Sequence, residues 1–185
     1  MPVRTLTLMI AFLAGVQAAS ATSVVQFSFD SLCETSAKIA HVKCIESRSI
    51  VAEDGVRTET RFRVFEGIKG EVGQEIVIAL PGGQIGERRV TVSGMPIFRE
   101  GEETVLFLSG PDGTGSPWPV GLGQGCYRVV EEDSGGRSVH LQRGSTPIPD
   151  GALFKPSSSQ PYQIDLKSFL DKVRETALPP AKIEN

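Results

Sequence analysis

Apolar and polar residues alternate most regularly over residues 56–65. On one side the residues are apolar or carry a hydroxyl group: Val56, Thr58, Thr60, Phe62 and Val64. On the other side they are charged: Arg57, Glu59, Arg61 and Arg63. A strand with one wet face has this period of two, so the pattern predicts a β-strand with a buried face.

Other stretches of similar length also predict strands: 39–51, 75–80, 88–93, 104–108, 126–131 and 137–142. Asp54-Gly55 predicts a hairpin turn, because Asp-Gly readily adopts the backbone that such turns require. Within 88–93 we expect Val90 and Val92 to point inward. Residues 104–108 are apolar throughout, apart from Thr104, which predicts a central strand buried on both faces. Residues 111–125, rich in glycine and proline, predict a loop.

Two segments have the features of helices. Residues 28–38 predict a short helix that Ser28 or Asp30 can cap. Residues 166–177 predict an amphipathic helix, which Asp165 caps and the two prolines at 179 and 180 end. Its apolar stripe recurs at helical spacing: Leu166, Phe169, Leu170, Val173 and Ala177. We expect this stripe to pack on the strands.

The N-terminus has the pattern of an export signal. Arg4 precedes an apolar run over 6–16, and small residues allow cleavage after residue 18 or 21. This run is shorter than the roughly 20 residues that span a bilayer, so no transmembrane anchor is expected after cleavage. The predicted organisation is a signal peptide at 1–21, a β-barrel domain at 22–143, an irregular linker at 144–160, a helix packed on the barrel at 161–178, and a tail at 179–185. The expected location is secreted or periplasmic.

Charge argues against a nucleic-acid partner. The formal net charge is −3, and loss of Arg4 with the signal makes the mature chain more acidic. Binding to nucleic acid depends largely on neutralisation of phosphates by Lys and Arg. We therefore expect a protein or an envelope component as partner.

The order of several short motifs resembles a widespread group of uncharacterised secreted bacterial proteins. These motifs lie at 37–46, 65–70, 81–83, 92–98, 101–108 and 123–129. The resemblance covers most of the mature chain and implies a small OB-like β-barrel, close to the netrin-like domains. With the predicted helices, the expected fold is mainly β: an OB-like barrel with a short N-terminal helix and a C-terminal amphipathic helix.

Netrin-like domains include the tissue inhibitors of metalloproteinases, in which a free N-terminal cysteine chelates the protease zinc. In this chain the first cysteine is Cys33, well after the predicted mature N-terminus. That inhibitory device is therefore absent in its known form, and inhibition would need another surface.

The three cysteines, Cys33, Cys44 and Cys126, leave two alternatives open. After export one disulfide can form among them, in any of three pairings. Alternatively, all three are small buried apolar residues.

Candidate chemistry is sparse. On a strand, His41 and Cys44 fall on opposite faces, which disfavours a catalytic pair or a zinc site built on them. Cys126 with His140 is a geometrically open pair for a thiol enzyme, but no motif marks it. No catalytic residue, cofactor or metal is predicted.

Two features suggest an interaction surface. Trp118 lies between prolines in the 111–125 loop, where the ring either is exposed or folds back to fill a barrel end. Arg57, Arg61 and Arg63 form a basic strip, which either binds an anionic partner or is an ordinary solvated face.

The resulting hypothesis is an exported, non-catalytic binding module. The alternative is an inhibitor or accessory factor of an exported (metallo)protease, and the third reading is an enzyme built on Cys126 and His140.

Overall fold

The computed structural model describes residues 26–113, 115–133, 135–140 and 163–178. The predicted signal peptide, the linker at 144–160, the tail at 179–185 and the end of the last predicted strand lie outside these residues. Within them the chain is mainly β, with two α-helices. No helix in these ranges is both long and apolar enough to cross a membrane.

The strands are β1 (Lys38–Ala52), β2 (Gly55–Lys69), β3 (Glu75–Pro81), β4 (Gly83–Ile85), β5 (Arg88–Val90), β6 (Glu103–Pro111), β7 (Pro117–Pro119), β8 (Cys126–Glu131), β9 (Arg137–His140) and β10 (Gln163–Asp165). The helices are α1 (Phe29–Thr35) and α2 (Leu166–Ala177), and a 3₁₀ turn spans Leu122–Gly125.

Eight of the described strands form one antiparallel sheet. Its order is β10-β9-β8-β6-β1-β2-β3, and β7 pairs with β6 beyond the end of β8. Strands β4 and β5 form a separate two-stranded sheet. No closed barrel is found among the described residues.

The long β1–β2 hairpin contains three irregularities in its pairing. Ile68 and Phe65 are extra residues in β2, and Ile45 is an extra residue in β1. Such bulges bend a strand and increase its twist. The one at Ile45 also shifts the alternation, so that Ser47 lies on the same face as Cys44 despite an odd separation.

The sheet buries a different core on each face. The first, which we call the helix-side core, comprises Phe29, Leu32, Cys33, Ile39, Ile68, Val105, Phe107, Val120, Tyr127, Val129, Val139, Ile164 and the stripe of α2. The second, the loop-side core, comprises Ala40, Val42, Cys44, Phe62, Ile76, Ile78, Leu80, Phe98, Leu106, Leu108 and Cys126. Strand β6 contributes alternately to both, which confirms it as a central strand buried on two faces.

Both helices cover the helix-side core. The predicted bounds of α2 are confirmed, and the whole predicted stripe is buried. The Asp165 carboxylate caps it by accepting from the Ser168 N–H (2.9 Å). Rings from both helices meet the sheet: Phe29 lies 6.2 Å from Phe107, and Phe169 lies 4.9 Å from Tyr127.

Several predicted boundaries are wrong. The first helix ends at Thr35, because the Ser36 hydroxyl donates to the Leu32 carbonyl (2.7 Å) and the chain then turns into β1. The strand predicted at 56–65 is longer than expected, since β2 continues to Lys69. The predicted loop at 111–125 contains β7 and the 3₁₀ turn.

Val92 does not point inward as predicted; its side chain is 37% exposed. The reason is that β5 ends at Val90 and pairs only with β4. Val92 therefore has no neighbouring strand and no core to face.

Candidate binding cleft beside the β5–β6 segment

Residues 91–102 link β5 to β6 without helix or strand structure and cover one end of the loop-side core. We call them the β5–β6 segment. Phe98 anchors it: the side chain is 7% exposed, and its ring meets Phe62 edge-to-face at 5.0 Å and 86°. Met95 packs against the same core. Between these anchors, Ile97 is 78% exposed. A large apolar side chain thus points outward between a partly buried anchor, Met95, and a buried one, Phe98.

A cleft of about 450 Å³ lies between this segment and the far half of the β1–β2 hairpin. Residues 95–98 form an apolar wall. The floor carries four hydroxyl groups in two cross-strand pairs, Ser47 opposite Thr60 and Ser49 opposite Thr58. The loop-side face of the hairpin therefore changes from apolar near Phe62 to hydroxyl-lined in the cleft. Small-molecule sites commonly have this size and this mixture of apolar and polar groups.

Two of these hydroxyl groups hold β4 in place. Thr58 Oγ1 donates to the Gly82 carbonyl (2.8 Å), and Ser49 Oγ accepts from the Gln84 N–H (2.9 Å). Gly83 lies directly over them with φ +139°, and a Cβ there would approach Ser49 Oγ to 2.5 Å. Only glycine combines this backbone with so close a contact. Ser47 and Thr60 have only a weak mutual contact, at 3.5 Å.

The charged side chains that line the cleft are basic. Among the described residues, its only charged lining side chains are Arg89 and Arg99. Arg89 is held by Gln84, whose Oε1 accepts from Nη2 at 2.9 Å. Arg99 is 75% exposed, and its Nη1 lies 3.5 Å from Glu102 Oε1. An acidic chain thus presents a local cationic cleft.

A second cleft, of about 300 Å³, lies on the other side of residues 95–98, which line both. Its charged lining side chains, Glu102 and Arg128, bond to each other at 2.5 Å from Oε1 to Nη2. This cleft therefore lacks the unbalanced positive charge of the first.

The predicted basic strip is largely neutralised. Arg57 donates to the Asp54 carboxylate, with Nη2 2.5 Å from Oδ2. Arg61 lies 3.6 Å from Glu46 and 3.4 Å from Glu75. Arg63 is exposed. These contacts favour the ordinary solvated face over a site for an anionic partner.

Trp118 is turned inward. Its backbone N–H donates to Ser109 Oγ (3.1 Å) as β7 pairs with β6, and its half-buried ring packs against the loop-side core. The ring Nε1 is buried without a hydrogen-bond partner among the described residues. Of the two positions considered for this ring, the structure shows the inward one.

The three cysteines form no disulfide in the structure, and all are buried. Cys33 belongs to the helix-side core, whereas Cys44 and Cys126 belong to the loop-side core. Burial raises the pKa of the Cys33 thiol to about 12 and also raises the pKa of Cys44 and of Cys126. These are the properties of small buried apolar residues, the second alternative above.

The structure does not gather the side chains considered for zinc. His41 lies against Phe65 (5.1 Å between ring centroids) and 3.3 Å from Glu103, apart from the core that contains Cys44. Burial lowers the pKa of His41, which keeps the ring neutral. In the described part of the chain, no group of three or more metal-binding side chains comes together.

Sequence reasoning missed one polar cluster. The Glu132 carboxylate accepts from the Ser138 hydroxyl and from Gln163 Nε2 (2.5 Å), and lies 3.3 Å from His140 Nε2. His140 Nε2 also lies 2.9 Å from the Ser138 hydroxyl oxygen, so one ring nitrogen faces both the serine and the carboxylate, and Ser138 is 4% exposed. In a catalytic triad one ring nitrogen instead binds the serine and the other binds the acid. The cluster joins β10 to the β8–β9 hairpin, and its only sequence signal was the even spacing of Ser138 and His140.

Comparison of the chain with known protein families, with curated proteins and with solved structures gave no match.

Proposed function

We propose that the chain is an exported, non-catalytic binding module that uses the β5–β6 segment and its adjoining clefts. The observation that carries this proposal is Ile97, an apolar side chain 78% exposed between two concave surfaces. Clefts with an apolar wall and a few polar groups are typical of binding sites. The anchors Met95 and Phe98 hold this surface in place before a partner binds, which reduces the entropy cost of association.

We further propose that the sheet is a partly open OB-like barrel. Strands β3-β2-β1-β6-β7 follow one another, and the Ala79 N–H of β3 donates to Ser116 Oγ just before β7 (3.1 Å). The bulges in the β1–β2 hairpin supply the bending that such a barrel needs. The loop-side core is then the barrel interior, and the β5–β6 segment lies over one of its ends.

The signal-like N-terminus supports export to the periplasm or the medium. A non-catalytic role is supported by the thiols. Nucleophilic cysteines need a lowered pKa, whereas burial raises the pKa of Cys126, the residue considered for an enzyme with His140.

Site-specific photo-cross-linking in the native cell envelope tests this proposal. A photoreactive residue is placed at position 97, and a control is placed at position 77. Val77 is also an exposed apolar residue, 41% exposed, but it lies on β3 and lines neither cleft. We expect a discrete adduct from position 97 and none from position 77. Equal labelling at both positions, or no adduct at 97, would refute the proposal. An exported protease in the adduct would favour the inhibitor alternative.

A further inference from the structure

We propose that the hydroxyl-lined cleft binds a small amphiphilic anion, with its acidic head on Arg89 and Arg99 and its apolar chain along residues 95–98. This inference deepens the proposed binding function and depends on it for its biological meaning. The ligand class is an aliphatic chain of moderate length that ends in a carboxylate. The assignment rests on three properties of the cleft.

The first property is charge. Arg89 and Arg99 line the cleft with no acidic side chain among its described lining residues. Gln84 Oε1 accepts from both Nε (3.3 Å) and Nη2 (2.9 Å) of Arg89, which orients the guanidinium. A guanidinium binds a carboxylate strongly when its planar donor group is oriented in advance. A cationic or neutral head group would leave Arg89 without an ionic partner, since its side-chain contact is to the neutral Gln84.

The second property is the apolar wall. Ile97 and Val92 are 78% and 37% exposed, and both line the cleft. An aliphatic chain that covers them removes apolar surface from water on both partners, which favours binding. A simple inorganic anion would gain nothing from this wall.

The third property is the floor. Thr60 is only 2% exposed, but Ser47 is half-buried, and its contact with Thr60 is long at 3.5 Å, so the Ser47 hydroxyl retains hydrogen-bonding capacity. Ser49 and Thr58 already bind the β4 segment, which leaves Ser47 as the floor hydroxyl group that a ligand can reach. This hydroxyl group can complete the hydrogen bonding of a head group whose charge is balanced by arginine.

Calorimetric titration of the purified mature protein with decanoate, below its micelle concentration, tests the inference. Two matched probes separate the head from the chain: decyltrimethylammonium has the same chain with a positive head, and acetate has the carboxylate without the chain. We expect binding of decanoate alone, with an affinity that falls as salt is added. Amide NMR shifts should locate the contact at residues 47–60 and 89–99.

Arg89→Gln and Arg99→Gln should each weaken decanoate binding by about fivefold, as expected for exposed charge pairs. The matched control is Arg88→Gln, which removes the same charge from an exposed neighbour in β5 that does not line the cleft. Ile97→Ser should also weaken decanoate binding.

Four results would overturn the inference: no decanoate binding, equal binding of decyltrimethylammonium, an equal loss in Arg88→Gln, or shifts outside the cleft. Binding of an acidic decapeptide in place of decanoate would assign the cleft to peptides instead. The two proposals can fail separately. If decanoate does not bind, a cross-link at position 97 still supports the binding-module proposal. If no cross-link forms at position 97, decanoate binding still supports the ligand proposed for the cleft.

Discussion

Replacement of Phe98 by alanine is the sharpest test of how the β5–β6 segment is held. Phe98 is 7% exposed and fills one end of the loop-side core, with its ring edge-to-face against Phe62. The substitution removes this ring and leaves a void next to both clefts. If Phe98 anchors the segment, its removal should lower the stability of the protein and also release residues 95–98, which form the wall of the cleft.

The expected magnitude follows from burial. Truncation of a buried phenylalanine to alanine costs about 3–5 kcal/mol. We expect the loss of stability in Phe98→Ala to lie near the lower end, at about 3 kcal/mol, because the adjoining clefts let water and side chains enter part of the void. The edge-to-face contact contributes about 0.5–1.5 kcal/mol of this loss.

Urea unfolding of the purified protein measures the effect. With a slope of about 2 kcal/mol per M, the midpoint should fall by about 1.5 M. The melting temperature should fall by roughly 6–12 °C, at 2–4 °C per kcal/mol for a chain of this size. The matched control is the adjacent residue: Ile97→Ala, at a side chain 78% exposed, should stay within about 0.5 kcal/mol of wild type.

A double-mutant cycle isolates the ring contact. Phe62→Leu and Phe98→Leu should couple by about 0.5–1.5 kcal/mol when the rings meet as described. The reasoning is refuted if Phe98→Ala costs less than about 1 kcal/mol, or if Ile97→Ala costs as much as Phe98→Ala. Either outcome would mean that the segment is not anchored through Phe98.

Three further predictions concern the rest of the fold. Gly125→Ala should destabilise by about 1–3 kcal/mol in urea unfolding, because its Cβ would approach a backbone carbonyl oxygen to 2.6 Å; Gly110→Ala, which meets nothing within 4 Å, should be close to neutral. Hydrogen bonds from Ser138 and His140 lower the pKa of Glu132. The ionised carboxylate therefore stabilises the folded protein at neutral pH, and this contribution is lost as the pH falls through the lowered pKa. The difference in urea midpoint between wild type and Glu132→Gln should shrink on acidification, and a difference that grows would contradict this assignment. Cys33 is fully buried, and its pKa is raised to about 12. It should therefore react with iodoacetamide at least about a hundredfold more slowly in the native protein than in urea. Rapid labelling of Cys33 in the native protein, measured by peptide mapping, would show that this thiol is not buried in the helix-side core.

Local periodicity determined much of the secondary structure. The alternation over residues 56–65 identified the face of β2 that carries Thr60 and Phe62, both of which are buried. The unbroken apolar run at 105–108 identified the central strand, and the stripe of α2 identified its buried face. These signals are readable because a side chain's direction depends on its own backbone period, 2.0 in a strand and 3.6 in a helix.

Periodicity did not determine which surfaces meet. The bulge at Ile45 reverses the alternation of β1, so regular counting places Ser47 on the wrong face and hides the hydroxyl floor. The cleft then brings the hairpin at 47–60 together with residues 80–99, and Glu132 bonds to Gln163 from β10 across 31 positions. The exposed Ile97 and the inward Trp118 likewise follow from neighbours distant in sequence. A chain's pattern specifies the face on which each side chain lies, whereas bulges, strand order and the packing of loops decide what that face contacts. The strands and helices were therefore largely fixed by local sequence, and the candidate site was decided by the tertiary structure.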